Sequence, residues 1–370
     1  MLRLVVRQAI APALAFTLAS CVTASSQLKP TTGAEPFPVD QLMYGSVADE
    51  ALCKSIPDTV WVVVDGIGDC VRYFKSLLGH RPGSAAFVFF HGDYLGGTRI
   101  RGNLRIVGNY ATQTPARLTN QANTLAKEAG GPYFLIARPG VFGSSGDHAQ
   151  RRRPREPLLV NAALDQLKAR YTIGTWHVSG QSGGGTMAAA LITLRSDIDC
   201  VGIASGGTAI KVRARELGFS SDSTGYDDPY DPVDHISKIG RSPAPRIFVV
   251  SDPRDTDVSF SSQSYYVAQL TKAGLSPTHI LAEARPPNYH GLDQVAIRAV
   301  RLCANGATTT EIFSELSSGR LRSSGHQHRN AAARTAESGT LSIRGFHEGN
   351  APNGELDNSK RKLPGRGRLQ

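Results

Sequence analysis

Five consecutive residues, Gly180-Gln181-Ser182-Gly183-Gly184, set a serine between glycines two positions before and two after it. The apolar run Trp176-His177-Val178 leads into them, and Thr186-Met187-Ala188-Ala189-Ala190-Leu191 follows with helix-forming residues. A strand that enters Gly-x-Ser-x-Gly and leaves as a helix must turn so sharply that the serine takes a strained backbone conformation. Glycine at the flanking positions removes the Cβ atoms that would collide where strand and helix cross. The hydroxyl is then left at the tip of the turn, beside the next amide and a helix N-terminus, where it can attack a carbonyl carbon. A chain with 38 glycines in 370 residues can also produce this pentapeptide as an ordinary loop. The helical run that starts at once favours the nucleophile.

The two ends of the chain differ in kind from the middle. Residues 1–21 have the pattern of an export signal: Arg3 and Arg7, an apolar stretch over 9–19, and the small-residue close Leu18-Ala19-Ser20-Cys21. The stretch is too short to span a bilayer. Its end resembles the lipobox of bacterial lipoproteins, which implies lipidation at Cys21; an ordinary signal peptide is the alternative. The expected location is the bacterial cell envelope or periplasm, with membrane contact only through that lipid. Residues 22–40, rich in Ser, Thr, Gly and Pro, read as a flexible tether.

Residues 304–370 lose apolar periodicity and carry +4 of the chain's net charge of +10. Arg3 and Arg7 add +2, which leaves +4 for the body between. A basic, apolar-poor tail cannot bury enough surface to offset its ordering entropy, so it is expected to be disordered and solvated. Contact with anionic lipid or cell-wall polymer is the alternative. No aromatic interleaving and no nucleic-acid fold signature accompany the charge, so no nucleic-acid partner is expected. With Cys21 set aside, Cys53, Cys70, Cys200 and Cys303 remain. An even number in an oxidising compartment predicts disulfides, with Cys53–Cys70 and Cys200–Cys303 expected among the three pairings and buried free thiols as the alternative. No cysteine spacing points to zinc, and no cofactor is expected.

Residues 41–303 read as one domain of alternating strands and helices. The β-rich runs 60–64 and 70–74 flank Asp65-Gly66-Ile67-Gly68 as a hairpin would. Buried, parallel-type runs follow at 85–90, 133–137, 175–179, 200–204, 246–250 and 278–282. Helical periodicity separates several of them: 115–129, with a Thr114 cap, Pro115 in the first turn and Leu118, Ala122, Leu125 and Ala129 on one face; then 158–170, 265–272 and 292–302. The pattern predicts an α/β fold, a mostly parallel eight-stranded sheet with helices on both faces.

At this point the chain resembles the α/β-hydrolase superfamily over roughly residues 60–303. Within it, Asp231-Pro232, Ile247-Phe248-Val249-Val250, Asp255-Thr256-Asp257-Val258, Gln263-Ser264 and Tyr289-His290-Gly291-Leu292 resemble the C-terminal part of prolyl-oligopeptidase and acylaminoacyl-peptidase-like hydrolases. The resemblance implies the chain order Ser, Asp or Glu, then His. It makes His290 the base, because that histidine follows the last strand on a loop before a helix. His279, in a strand pattern, reads as a packed or surface imidazole. Asp255 is the expected acid and Asp252 the alternative, both on the loop after strand 246–250. Ser251 stands where the family has glycine, and the loop carries one extra residue. Gly183 and Asp93, with Tyr94 as an alternative to Asp93, are the expected oxyanion donors, on an elbow and on a Phe90-His91-Gly92 loop. His91 reads as a structural prop, and the Asp93 side chain is expected to point away from the oxyanion.

Arg138-Pro139-Gly140-Val141-Phe142-Gly143 resembles a structural turn of related esterases. The cluster Arg151-Arg152-Arg153 with Arg155 reads as a solvated loop, with an acidic substrate group as the alternative ligand. Residues 210–240 are placed as a small lid. The function these residues point to is exported serine hydrolysis of a carboxylic ester or amide in a small molecule or peptide. The alternatives are a prolyl-oligopeptidase-like serine peptidase and a catalytically inactive hydrolase-fold binding protein of the cell envelope.

Overall fold

The computed structural model describes residues 26–317 and 339–342. The export signal with Cys21 and most of the basic tail lie outside the described residues. A short parallel pair, β1 (Ser26–Gln27) and β2 (Ser46–Val47), brackets the helical turn α1 (Val39–Tyr44). This corrects the flexible tether from residue 26 onward. Leu28 and Phe37 are buried, and Phe37 packs against Phe74 and Phe142. Arg72 also donates to the Thr31 carbonyl. Two apolar side chains in a polar stretch dock it, since each buried one contributes about 1.5–3 kcal/mol.

After α2 (Glu50–Ser55), β3 (Thr59–Val64) and β4 (Ile67–Ser76) form the expected hairpin. Its two-residue turn, Asp65 and Gly66, has φ of 52° and 75°, the left-handed pair that matches strand twist. Strands and helices then alternate: β5 (Ala86–Phe90), the small hairpin β6 (Leu95–Gly96) and β7 (Arg105–Ile106), α3 (Pro115–Ala129), β8 (Tyr133–Ile136), α4 (Arg155–Tyr171) and β9 (Trp176–Gln181). They continue with α5 (Gly183–Leu191), β10 (Ile198–Ala204), α6 (Ile210–Glu216), β11 (Arg246–Ser251), α7 (Phe260–Lys272), β12 (Thr278–Leu281) and α8 (Asp293–Ala304). Helix α3 starts as its sequence asks, with the Thr114 hydroxyl accepting from the Arg117 amide at 3.1 Å, and stops at Gly130 with φ 70°.

Hydrogen bonds order the large sheet β13-β12-β11-β10-β9-β5-β8-β4-β3, where β13 is Gly339–Ser342. Strand β4 is antiparallel to both neighbours and the other pairings are parallel. Counted in chain order without β13, the strands lie 1-2-4-3-5-6-7-8 across the sheet, which is the α/β-hydrolase fold. The single exchange, β8 outside β5, brings β5 directly against β9, with Phe90 paired to Gly180. The loop after β5 therefore emerges beside the loop after β9. Alternate residues of β5 feed two cores: Phe87 and Phe89 join Leu118, Leu125 and Val295 from α3 and α8, while Val88 and Phe90 join Leu164, Met187 and Tyr266 from α4, α5 and α7. Disulfides Cys53–Cys70 and Cys200–Cys303 tie α2 to β4 and β10 to α8.

The tail begins later than residue 304. Helix α9 (Thr309–Ser317) opens with a reciprocal cap, the Thr308 hydroxyl accepting from the Glu311 amide at 3.2 Å and the Glu311 carboxylate accepting from the Thr308 amide at 2.8 Å. Ile312 and Leu316, one helical turn apart, are buried in the core beside α8. Strand β13, also in the expected tail, pairs in parallel with β12. Ile312→Ala in the full chain should cost about 2–5 kcal/mol, seen as a lower urea midpoint; an unchanged midpoint would mean that α9 contributes no core.

Candidate active site

Ser182 sits at φ 56°, ψ −120°, between the last residue of β9 and the first of α5, and its amide donates to the Ala204 carbonyl at 2.8 Å. No residue with a side chain relaxes comfortably at that φ. What enforces it is the crossing itself. A Cβ on Gly180 would lie 2.1 Å from the Gly184 oxygen, and one on Gly184 would lie 2.0 Å from the Phe90 oxygen. The serine side chain is half-buried and reachable from solvent.

The structure brings His290 and Asp255 together. The ring nitrogen Nδ1 of His290 lies 2.9 and 3.0 Å from the two Asp255 oxygens, which leaves Nε2 as the outward nitrogen. The Asp255 carboxylate is fully buried and also accepts from the amides of Asp257 and Val258, both at 2.9 Å, and from Gln263 Nε2 at 3.4 Å. Asp252, the alternative acid, is occupied in its own turn: it holds the Arg254 guanidinium at 2.8 Å and accepts the Ala284 amide at 2.7 Å. Burial alone would raise the Asp252 pKa, but its bonds to Arg254 bring it below the usual carboxylate value. No hydrogen bond joins the Ser182 hydroxyl to His290 among the described residues. Such bonds commonly close only around a bound substrate.

Two side chains to which the sequence assigned no role, Gln181 and Gln263, hold this pair in place. Gln181, the variable residue of the pentapeptide, donates from Nε2 to the His290 carbonyl at 2.6 Å and accepts the Leu292 amide at 3.1 Å. It staples the histidine loop to the elbow. Behind the acid, Gln263 Nε2 is fixed by the Val258 carbonyl at 2.9 Å, so its Oε1 must accept from the Ser251 hydroxyl at 2.6 Å. Ser251 in turn meets His279 Nε2 at 3.0 Å, which makes His279 the donor; burial pulls the His279 pKa down to about 4 and keeps it neutral. Ser251 thus has a specific partner on each side.

On the other side of Ser182, the loop after β5 runs so close that a Cβ on Gly92 would lie 3.2 Å from the Ser182 Cβ. The Asp93 amide has no acceptor among the described residues, and the Gly183 amide, first in α5, has none within its helix. The Tyr94 alternative is corrected: its amide donates to His148 Nε2 at 3.4 Å. His91 is a prop as expected, bonded to Gln121 at 3.0 Å, its pKa pulled to about 4 by burial.

The Asp93 carboxylate turns inward beneath the elbow, where a Cβ on Gly183 would meet its Oδ1 at 1.9 Å. There it binds Arg138 at 2.7 Å, Arg151 at 2.9 Å and Arg152 at 2.5 Å. Burial would raise its pKa, but the Arg138, Arg152 and Arg151 charges hold it well below the usual carboxylate range. Arg138 also pairs with Glu156 at 2.8 Å, and Arg152, itself at φ 67°, pairs with Asp222 at 3.0 Å. Arg153 binds Asp228 and Arg155 binds Asp69, at 2.8 and 2.6 Å. The solvated-loop reading of Arg151–Arg155 is therefore corrected: each guanidinium has a carboxylate, and the first two are buried. The sequence signal was the concentration of Arg between 138 and 155, which lacks its acids until the fold supplies Asp93 and Asp222.

A cleft of about 420 Å3 lies far from this site, at the β3 edge, lined by Cys53, Asp58, Trp61 and Arg170. Among the described residues no group of His, Cys, Asp and Glu is arranged to hold a metal ion, and no helix is long and apolar enough to cross a membrane.

No protein-family model and no curated protein matches the chain. Solved structures do resemble it. Est1E from Butyrivibrio proteoclasticus, with ferulic acid bound, is 13% identical with a TM-score of 0.46, covering 65% of this chain and 96% of its own. An esterase of Pyrococcus furiosus is 14% identical at a TM-score of 0.43, covering 68% and 86%. A puromycin-hydrolysing peptidase of Mycobacterium tuberculosis is 14% identical at 0.46; the match takes in 68% of this chain but only 40% of the peptidase.

Gly184→Ala should break the crossing, because Phe90 O is backbone and cannot yield. Expected are a lower unfolding midpoint and loss of reactivity at Ser182 towards a fluorophosphonate; full labelling at an unchanged midpoint would show that the contact is not needed.

Proposed function

We propose that this chain is an exported serine hydrolase that cleaves a carboxylic ester or amide through an acyl-enzyme. The observation that carries the reading is the His290 imidazole held by the buried Asp255 carboxylate at 2.9 Å, on a loop stapled through Gln181 to the residue beside Ser182. On substrate binding the Ser182 hydroxyl closes onto His290 Nε2, passes it the proton, and its oxygen bonds the carbonyl carbon. The carbonyl oxygen becomes an oxyanion facing the Gly183 and Asp93 amides. His290 then returns the proton to the departing alcohol or amine, the C–O or C–N bond breaks, and a serine ester remains. Water, deprotonated by His290, repeats the sequence and frees the acid. The Asp255 side chain holds the ring in the tautomer that leaves Nε2 bare. The two disulfides are consistent with an oxidising compartment, and Leu18-Ala19-Ser20-Cys21 supports a lipid anchor there.

A fluorophosphonate should label the folded protein at Ser182, located by tryptic mapping, and Ser182→Ala should abolish both labelling and turnover of p-nitrophenyl esters. Absence of labelling in folded wild type would leave a binding protein instead, and turnover of aminoacyl-naphthylamides well above the esters would make it a peptidase. Asp255→Asn should lower kcat about 10⁴-fold with the fold kept, whereas Asp252→Asn should act mainly on stability; the reverse pattern would reassign the acid. In a bacterial host the chain should fractionate with membranes, and Cys21→Ser should release it; an unchanged distribution would remove the anchor.

A further inference from the structure

Four arginines gather around Asp93 and Asp222, and one of them stands outside the ion pairs. Arg138, Arg151 and Arg152 each bind a carboxylate. Arg213, on α6, makes no ion pair among the described residues. Its fork, Nε at 3.1 Å and one terminal nitrogen at 2.5 Å, grips the backbone oxygen of Asp257, two residues past the acid Asp255. The other terminal nitrogen lies 3.4 Å from the Ser223 hydroxyl, which also receives Arg152 at 3.0 Å. Arg152 in turn holds Asp93, whose amide faces the oxyanion position. Arg213 thus bridges the acid side and the oxyanion side of Ser182. The carboxylates of Asp222, Asp93 and Asp257 act on it without direct contact. Burial, and then the adjacent Arg152 charge, pull the Arg213 pKa below the ordinary guanidinium value. Its direct hydrogen-bond partners are neutral oxygens, and a half-buried cation gains from an anion in direct contact.

We propose that Arg213 receives a carboxylate of the substrate, so that the preferred ester or amide carries an anionic group on its acyl or its leaving portion. The inference rests on the hydrolase reading above and specifies its substrate class. The planar guanidinium keeps two N–H groups beyond those bonded to Asp257 and Ser223, donors that a carboxylate can accept. A merely structural Arg213 would dock α6 onto the acid loop and treat neutral and anionic substrates alike.

The test uses the full chain and two substrate pairs: mono-p-nitrophenyl glutarate against p-nitrophenyl butyrate, and 3-carboxyphenyl butyrate against phenyl butyrate. In one pair the wild type should favour the anionic member in kcat/KM, and Arg213→Gln should reduce that anionic-to-neutral ratio about 10–100-fold, with part of it restored in Arg213→Lys. The responding pair tells which portion bears the charge. Free glutarate should also inhibit wild-type hydrolysis of the neutral ester competitively, a readout that needs no variant should Arg213→Gln fold poorly. Equal losses on both members of each pair, together with no inhibition by glutarate, overturn the proposal while fluorophosphonate labelling of Ser182 keeps the hydrolase reading intact. If wild type is neither labelled nor active, that reading falls and this one with it.

Discussion

At the elbow the approach is backbone on backbone, where α5 leaves β9 against the end of β5. Gly184 meets the Phe90 carbonyl and Gly180 meets the Gly184 carbonyl at distances that admit no Cβ. Everything at the site is referred to that crossing. It forces Ser182 into a left-handed φ, frees the Gly183 amide, and aims the Gln181 side chain at the histidine loop. The strain at one serine is offset by two cores packed on both faces of the sheet, an arrangement often found at functional positions.

The two sides of Ser182 are held by different chemistry. Beside His290, hydrogen bonds of 3.4, 2.6 and 3.0 Å run from Asp255 through Gln263 and Ser251 to His279, all buried. On the oxyanion side, full charges do the same job: Asp93 gathers three guanidiniums and passes the connection to Glu156 and Asp222. Removing one member of such a buried cluster leaves an uncompensated charge, so it positions its loop firmly but tolerates little change. Asp222 links this cluster to the segment 210–240, and the Thr224 carbonyl that follows it accepts from the Thr98 hydroxyl in the β6–β7 connection. That segment is therefore tied to the loop after β5 and to the β6–β7 hairpin.

Most of the fold was legible because its signals are local. Runs of buried β residues marked β5 and β8 to β12, and the Thr114–Pro115 start placed α3 at its observed bounds. The elbow was legible for the same reason, since glycine spacing reports a steric demand within five residues. The acid was harder: Asp252 and Asp255 share a loop, and only the fold reveals that Arg254 and the Ala284 amide occupy the first. Gln181 carried no signal, because its partners lie over a hundred residues downstream. The arginine cluster misled for a related reason. Charge runs read as solvated unless the opposing acids are near in sequence, and here they arrive from residues 93 and 222. The start of the tail misled by composition: Ile312 and Leu316 are a small apolar fraction of that stretch, yet their helical spacing suffices to dock α9.

The ion pairs of this region fall into two electrostatic environments. Those around Asp93 are enclosed, whereas Arg153–Asp228 and Lys211–Asp234 stand on the outer rim with their side chains open to solvent. Dissolved electrolyte screens the second kind within about 10 Å at 0.1 M and reaches the first far less. Ionic strength therefore acts as a selective dial, loosening these outer ion pairs while the loop that carries Asp93 stays anchored.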